Sequence, residues 1–384
     1  MKQSIFKPIR SPGLPALVFF ISILLMGVIS TFINPAKIDS NDLRLIAWNP
    51  GRELLATGNV NAGYPYPLWT VVVMLPFALL PQKISMIIWL TCNLLMLASS
   101  IAIFILMTRW ELTPITLVMV VSLCGLFLPV LTSFSLGQLT FFSLLAITLA
   151  AYFFINQKWI PLGVTLGISL VKPQVMILLI GMVMLQALLQ HRWRVLISFS
   201  TTTLILVAIS LPFISSPQQI IGGGIGDHLG SFIERTSTIW SLFLTLGISW
   251  FVPLVCSVGL MGWLLQKWIP FFRNAIPNID QSLFLFSASV IVNLIVLPYS
   301  WMYNLVLLLL PYGYSVIQIL KIKDASRNLW LAALLFIMYP LTIALFVIFE
   351  GHNGTQAHQI IPAFFLLAVM IALESKSRTE ESSG

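Results

Sequence analysis

Long apolar segments alternate with short polar ones over most of this chain. An uncharged apolar run of about 20 residues is long enough to cross a bilayer as a helix. The chain contains twelve candidate runs: Pro15–Phe32, Ile84–Met107, Ile115–Thr132, Leu139–Ile155, Pro161–Val171, Val175–Leu189, Val195–Phe213, Trp240–Leu265, Leu283–Leu297, Tyr303–Leu320, Leu329–Phe349 and Ile360–Leu373. The pattern predicts an all-α polytopic membrane protein of one domain (residues 1–384) with about twelve transmembrane helices. A thirteenth apolar segment, Pro67–Leu80, is short and interrupted by Pro76.

One long polar stretch, Asn34–Tyr66, follows the first apolar run. Its charged residues include Asp39, Asp42, Arg44, Arg52 and Glu53. Irregular polar backbone is stable only in water or against protein, and membrane proteins usually keep such loops short. A long charged loop therefore indicates a reaction site. Within it, Asn49-Pro50 predicts the start of a short interfacial helix that ends at Gly58.

The composition supports the membrane assignment. Hydrophobic residues make up 58% of the chain and charged residues 8%, and the mean hydropathy is +0.98. These values leave too little polar surface to cover a soluble globule of this length. The formal charge of +8 would point to nucleic acid in a soluble protein. In a membrane protein, basic residues are instead concentrated in the loops on the cytoplasmic side of the bilayer. No nucleic-acid partner is therefore expected.

Cytoplasmic loops are enriched in Lys and Arg, which predicts the orientation. If Lys2, Lys7 and Arg10 are cytoplasmic, Asn34–Tyr66 is an outer loop. The basic clusters near Arg192, Lys267, Lys321 and Lys376 then share the cytoplasmic side, together with the tail at residues 375–384. This arrangement requires an even number of crossings, so one apolar segment does not cross; Pro67–Leu80 and Pro161–Val171 are the two short candidates. We expect a multi-pass protein of a bacterial plasma membrane with both termini in the cytoplasm.

Three polar residues near apolar boundaries are candidates for chemistry. Asp42 lies where a carboxylate can act as a general base, although it can equally cap a helix, and Asp39 is an alternative base. Lys172 ends an apolar run and is followed by a helix-breaking proline. It either snorkels to the interface or binds a phosphate at the membrane surface. Gln138, after Gly137, either packs or lines the same cavity.

Two further segments belong to the predicted outer side. Pro298–Asn304 contains Trp301, Tyr303 and Asn304, which serve either as interface anchors or as a stacking surface with polar donors for a sugar or lipid phosphate. The loop at residues 215–236 is glycine-rich; it lacks the context of a nucleotide-binding loop and is either a mobile loop or a lid. The spacing of the four histidines predicts no metal site.

Several short motifs resemble glycosyltransferase family 87 in their order along the chain, between about Asp42 and Pro311. They are Asp42-Leu43-Arg44, Leu54-Leu55-Ala56-Thr57-Gly58, Tyr64-Pro65-Tyr66-Pro67, Leu75-Pro76-Phe77-Ala78-Leu79-Leu80-Pro81, Gly137-Gln138, Lys172-Pro173, Arg192-Trp193-Arg194 and Pro298-Tyr299-Ser300-Trp301. The resemblance implies a GT-C type membrane glycosyltransferase. Such an enzyme takes a sugar, here expected to be mannose, from a polyprenyl-phosphate carrier and transfers it to a lipid or glycan acceptor on the outer face. The lipid-linked donor is a substrate, and no cofactor is expected.

The resemblance also implies roles for individual residues. Asp42 would be the catalytic base, and Lys172 would be the basic residue near the carrier phosphate. In an inverting displacement, Lys172 would balance that phosphate together with Arg44 or Arg235. The chain departs from the family where tyrosines often follow the loop aspartate, since it has Ile46 and Ala47 there. It also has Tyr303 in place of a histidine that many relatives carry after the Ser-Trp pair.

Two other classes remain open at this point. A secondary transporter or lipid flippase would show paired halves and charged residues at the membrane midplane, and no convincing repeat is present. A membrane polysaccharide polymerase or ligase would place its major loop late in the chain, whereas the major loop here comes first.

Overall fold

The computed structural model describes residues 42–61, 64–110, 120, 124–214, 233–272, 277–322, 325–350 and 356–383. Within these ranges the regular structure is helical and no strand occurs. The first predicted span, Asp39, part of Ile115–Thr132 and most of the glycine-rich loop lie outside the described residues. The helices are α1 (Asn49–Thr57), α2 (Leu68–Ala78), α3 (Gln82–Thr108), α4 (Leu128–Leu136), α5 (Thr140–Ile155), α6 (Trp159–Ile168), α7 (Ile177–Leu189), α8 (Trp193–Ser210), α9 (Ile239–Thr245), α10 (Phe251–Phe272), α11 (Ile279–Val296), α12 (Leu309–Lys321), α13 (Ser326–Phe336), α14 (Thr342–Glu350) and α15 (Ile361–Ser383).

The prediction of an all-α polytopic membrane protein is confirmed. In the described part of the chain, seven helical segments are long and apolar enough to cross a membrane: Gln82–Thr108, Trp193–Phe213, Phe251–Phe272, Ile279–Val296, Met302–Lys321, Ser326–Phe349 and Ala357–Lys376. Four shorter apolar helical segments accompany them: Leu68–Ala78, Thr140–Ile155, Trp159–Val171 and Ile177–Leu189. The predicted number of about twelve crossings is not confirmed.

One predicted span has the wrong bounds, since the candidate span in this region is Phe251–Phe272. The apolar run Trp240–Leu265 is divided between α9 and α10, and Gly247 between them has a left-handed φ of 71°. The Thr238 side chain caps the start of α9 by accepting a hydrogen bond from the Ser241 backbone. At 1.5 Å per residue, the seven-residue α9 is only about 10 Å long, too short to cross. Because the break contains no charge, hydropathy alone gave no sign of it.

The described part of the charged loop, from Asp42 onward, begins with helical structure. A π-helical segment, Leu43–Trp48, leads directly into α1, which has Pro50 in its first turn and ends at Gly58 with a φ of 73°. Asp42 immediately precedes this helical unit. A helix, and not an irregular loop, therefore positions the Asp42 carboxylate.

Two glycines one helical turn apart bring α6 into close contact with α8. A Cβ on Gly163 would collide with Ser198, and one on Gly167 would lie 2.7 Å from the Cβ of Thr202. Small residues at this spacing allow close approach of helices in membranes. The end of α6 is also fixed, because Trp69 and Thr70 of α2 donate hydrogen bonds of 2.9 Å to the carbonyls of residues 170 and 171. These contacts fix the position of residues 170 and 171, which directly precede Lys172.

Helix α11 is buried along almost its whole length and connects two polar ends of the bundle. Its 18 residues correspond to about 27 Å. At its first turn, Asp280 forms an ion pair of 2.7 Å with Lys321, and a cavity at this end is also lined by Lys267 and Glu374. Beyond its last turn lies the segment that contains Trp301. Lys267 and Lys321, two of the basic residues predicted to be cytoplasmic, thus share an end opposite to this segment, while the side that each end faces stays a prediction.

Candidate active site

Lys172 lies at a break between two helices and is completely buried. Short 3-10 turns, Ser169–Val171 and Pro173–Val175, flank it, because Pro173 cannot continue α6. Its side chain has a relative exposure of 0%. The snorkelling interpretation is therefore wrong, since the ammonium points into protein instead of reaching water.

Neutral groups hold the Lys172 ammonium. Nζ donates hydrogen bonds to Thr140 Oγ1 at 3.1 Å and to Gln138 Oε1 at 3.4 Å. It also lies 4.7 Å from the centre of the Tyr303 ring, within the range of a cation-π interaction. None of these three partners carries a negative charge. The positive charge of Lys172 is thus solvated locally without being neutralised by them.

The turn that carries Gln138 is fixed by helix α3. Gly137 ends α4 with a φ of 64°, and its carbonyl accepts a hydrogen bond from Trp89 Nε1 at 2.8 Å. The Gln138 carbonyl accepts from Asn93 Nδ2 at 3.2 Å. The Gln138 side chain is buried, and among the described residues its Nε2 has no hydrogen-bond partner. Gln138 therefore both supports Lys172 and retains an unused donor.

The segment after α11 adds aromatic and amide groups. The Trp301 and Tyr303 rings are stacked at 6.5 Å with an angle of 17°, and the Tyr299 ring meets Trp301 edge-on at 6.1 Å. Asn304 is buried and accepts a hydrogen bond of 3.4 Å from Thr140 Oγ1. The predicted residues Trp301, Tyr303 and Asn304 are thus adjacent to the Lys172 cluster.

Asp42 acts on this cluster through its electric field. Burial raises the pKa of its carboxyl to about 6, and the positive charge of Lys172 partly opposes that rise. Burial lowers the pKa of Lys172 to about 7, and Asp42 partly opposes that fall. Asp42 makes no capping hydrogen bond to the following helix. Its alternative role as a helix cap is therefore not realised.

Sequence reasoning missed two residues of this site. Thr140 was hidden inside an apolar run, although it lies only two residues after the candidate Gln138. Tyr66 was noted only as part of a Tyr-Pro motif; it is buried and interacts electrostatically with Tyr303 and Asp42. Tyr66 thus connects the first loop to the aromatic segment.

Arg44 is half-buried two residues after Asp42. Side chains two residues apart on a helix do not face each other. Arg44 therefore points away from the direction of the Asp42 side chain, and its role at the phosphate stays a prediction. Over the residues that the structure describes, no three His, Cys, Asp or Glu side chains gather as a possible metal site.

A comparison with family models matches residues 64–298 to glycosyltransferase family 87. No curated protein and no solved structure matches the chain. The matched range includes Gln138 and Lys172, whereas Asp42 and Trp301 to Asn304 lie just outside it. Since the match spans more than half of the sequence, the chain belongs to glycosyltransferase family 87 and is a membrane glycosyltransferase.

Proposed function

We propose that this protein transfers a hexose, with mannose as the first candidate, from a polyprenyl-phosphate carrier to a lipid or glycan acceptor on the outer face of a bacterial plasma membrane. The donor is a substrate, and inversion at the anomeric carbon follows from a single displacement. The observation that carries the proposal is the completely buried Lys172, which has only neutral hydrogen-bond partners and is coupled electrostatically to Asp42.

A buried cation without a neutralising contact is suited to an anionic ligand. Desolvating an ammonium is costly, and proteins retain such groups in membranes chiefly at functional sites. An incoming phosphate would supply the charge that Gln138 and Thr140 lack. The sugar phosphate carried by a polyprenyl chain brings this charge at the membrane surface, where its lipid tail can remain in the bilayer.

Asp42 has the properties of a general base. A carboxyl with a pKa near 6 is ionised at neutral pH and accepts a proton more readily than an ordinary carboxylate. In the proposed step, the acceptor oxygen bonds to the anomeric carbon while the bond from that carbon to the phosphate oxygen breaks. The hydroxyl proton passes to Asp42, and the carrier phosphate leaves with the bonding electrons beside Lys172.

The remaining groups would hold the sugar. The stacked Trp301 and Tyr303 rings offer an apolar face for a pyranose ring. The unused Gln138 Nε2 is a donor for a phosphate or sugar oxygen. Asn304 Oδ1 accepts a hydrogen bond from Thr140, so the Asn304 amide is a further polar group beside this cluster.

Transfer of radiolabelled mannose from polyprenyl-phosphate mannose into lipid tests this function. The Asp42→Asn variant should lose most of the transfer, because the amide cannot take the proton. Glu53→Gln is the matched control, since Glu53 is an exposed carboxylate on α1 of the same loop. Unchanged transfer by Asp42→Asn would remove Asp42 from the mechanism. Absence of transfer from every lipid-linked sugar would refute the donor class.

The outer location of the site needs a separate experiment. Single cysteines at Glu53 and at Lys321, in a background without native cysteines, are labelled in intact cells with a membrane-impermeant maleimide. We expect labelling at Glu53→Cys and protection at Lys321→Cys, since the two positions belong to opposite predicted sides. The reverse pattern would place the site in the cytoplasm.

A further inference from the structure

Three separate parts of the chain meet beside Trp301 and are joined by hydrogen bonds. Ser237 donates its backbone N–H to the Ser300 carbonyl at 2.6 Å and its hydroxyl to the Gln356 carbonyl at 3.1 Å. The Gln356 side chain accepts a hydrogen bond from the Met302 backbone N–H at 3.1 Å. The turn that begins with Gln356 is thus fixed against the aromatic segment of the candidate active site.

Gln359 follows on the same turn. The residues Ala357–Ile360 form a 3-10 helix, and the Gln359 backbone N–H donates to the Gln356 carbonyl at 3.0 Å. Residues three apart lie on the same face of a 3-10 helix. Gln359 therefore lies on the face from which Gln356 reaches Met302, beside the segment that carries Trp301.

The amide of Gln359 is buried and unpaired. The residue is 1% exposed, and within the described parts of the chain neither Oε1 nor Nε2 has a hydrogen-bond partner. Gln138 differs, because its Oε1 accepts from Lys172 and only its Nε2 is unused. A buried donor and a buried acceptor that both lack partners lower the stability of a fold. An amide in this state therefore indicates a ligand that supplies both bonds.

The two free atoms of the Gln359 amide select the kind of ligand. The carbonyl oxygen accepts hydrogen bonds and the amino group donates them, whereas a hydroxyl does both. A phosphate offers acceptors and an ammonium offers donors, so each would leave half of the amide unpaired. Two neighbouring hydroxyls of a pyranose can donate to Oε1 and accept from Nε2 together. The adjacent Trp301 and Tyr303 rings supply the apolar surface that a sugar ring also requires.

We propose that Gln359 binds two neighbouring hydroxyls of a sugar that lies against Trp301. This inference rests on the proposed function, and the hydroxyls belong either to the sugar of the lipid-linked donor or to the acceptor. The carrier phosphate is a separate contact, because Lys172 is linked to the Trp301 segment through Thr140 and Asn304. Gln359 would thus contribute to sugar specificity and not to binding of the phosphate.

Binding to the full-length protein in nanodiscs tests the proposal. The variant is Gln359→Met, since methionine is unbranched like glutamine and lacks the amide. Tryptophan fluorescence titrations give the affinities for polyprenyl-phosphate mannose, for polyprenyl phosphate without a sugar and for methyl α-mannopyranoside. We expect the variant to bind at least one mannose-bearing probe about tenfold more weakly and the bare carrier equally well. A loss for polyprenyl-phosphate mannose assigns the hydroxyls to the donor, and a loss confined to methyl α-mannopyranoside assigns them to the acceptor.

Gln186→Met is the matched control. Gln186 is as deeply buried as Gln359, but its Nε2 donates to the Phe271 carbonyl at 3.0 Å. This variant should unfold at a lower temperature and keep all three affinities, since it loses a structural bond. Gln359→Met should unfold at the same or a higher temperature, because it removes an unpaired buried group and breaks no bond.

Unchanged affinity of Gln359→Met for both mannose-bearing probes would overturn the proposal. A loss of thermal stability as large as that of Gln186→Met would also overturn it, since the amide would then have a structural partner. Failure of the unmodified protein to bind either mannose-bearing probe would have the same meaning. If the unmodified protein binds methyl α-mannopyranoside but not polyprenyl-phosphate mannose, the proposed donor class fails, and the response of Gln359→Met to the first probe still decides the role of Gln359.

Discussion

Asp42 and Lys172 influence each other's ionisation without forming a direct ion pair. Both residues belong to the described part of the chain, and the ion pairs found there join other groups. Burial raises the pKa of the acid and lowers that of the base, and each charge opposes the shift of the other. Neither charge is therefore bound directly to the other, as a mechanism with a phosphate at one and an acceptor hydroxyl at the other requires.

The first prediction concerns pH. Asp42 must be ionised to accept a proton, so kcat/KM should rise as pH increases through about 6. Lys172 must be protonated to bind phosphate, so kcat/KM should fall as pH increases through about 7. The free enzyme should therefore give a narrow bell-shaped profile with its maximum between these values. A flat profile from about pH 5 to about pH 9 would contradict both assignments.

The second prediction distinguishes the effect of the positive charge of Lys172 from the effect of its loss of a proton at high pH. Lys172→Met should lower kcat/KM by on the order of 100-fold, since a preorganised charge at the leaving group is lost. Lys172→Arg retains a cation that does not lose its proton in proteins. Its residual activity should lack the decline above pH about 7. If the decline persisted in the Arg variant, another group would be responsible for it.

Part of this site follows from sequence and part does not. Lys172 and Gln138 stand out because each is a lone polar residue next to a proline or glycine in apolar surroundings. Thr140 does not, since threonine is common in transmembrane helices and its hydroxyl usually bonds to its own helix, as Thr148 does. The same limit hid the division between α9 and α10, because a glycine turn can interrupt an uncharged run without changing its hydropathy.

The third prediction tests Thr140 as a positioning residue. Thr140→Val keeps the side-chain shape but removes the acceptor that lies 3.1 Å from Lys172 Nζ. The KM for the lipid donor should rise about tenfold, as expected for one hydrogen bond to a charged group. The alkaline limb should also move to lower pH, because the lost bond favoured the protonated lysine.

Thr148→Val is the matched control for Thr140→Val. Thr148 lies on the same helix, and its hydroxyl donates to the Leu144 carbonyl at 2.8 Å. It should leave both the KM and the alkaline limb unchanged. If the two variants behaved alike, Thr140 would have only a general packing role.

The fourth prediction concerns the Tyr303 ring. Tyr303→Phe keeps the aromatic face 4.7 Å from Lys172 Nζ, whereas Tyr303→Leu removes it. A desolvated cation-π contact contributes about 2 kcal/mol, so the Leu variant should lose about tenfold or more in kcat/KM. The Phe variant should lose only the interaction of the Tyr303 hydroxyl with Tyr66. Tyr66→Phe should therefore not add to Tyr303→Phe in a double-mutant cycle.

The fifth prediction tests whether α6 is held in place by close packing. A Cβ on Gly167 would lie 2.7 Å from Thr202 Cβ and 3.2 Å from the Phe199 carbonyl oxygen. Gly167→Ala should therefore lower the free energy of unfolding by about 1–3 kcal/mol through overpacking. Because Lys172 follows α6 after a single 3-10 turn, a shift of this helix should also reduce kcat/KM.

Gly181→Ala is the comparison, since Gly181 lies within α7 and a Cβ there meets nothing within 4 Å. Alanine is the better helix former by about 1 kcal/mol, so this variant should be neutral or slightly more stable. Thermal unfolding in detergent and sugar transfer should be measured on both variants. Opposite signs for the two stability changes would show that contact with α8, and not helix propensity, decides the outcome at Gly167. If Gly167→Ala were as stable as Gly181→Ala, α6 and α8 could separate at little cost. Lys172 would then need another anchor, with the Trp69 and Thr70 hydrogen bonds to its preceding turn as the next candidates.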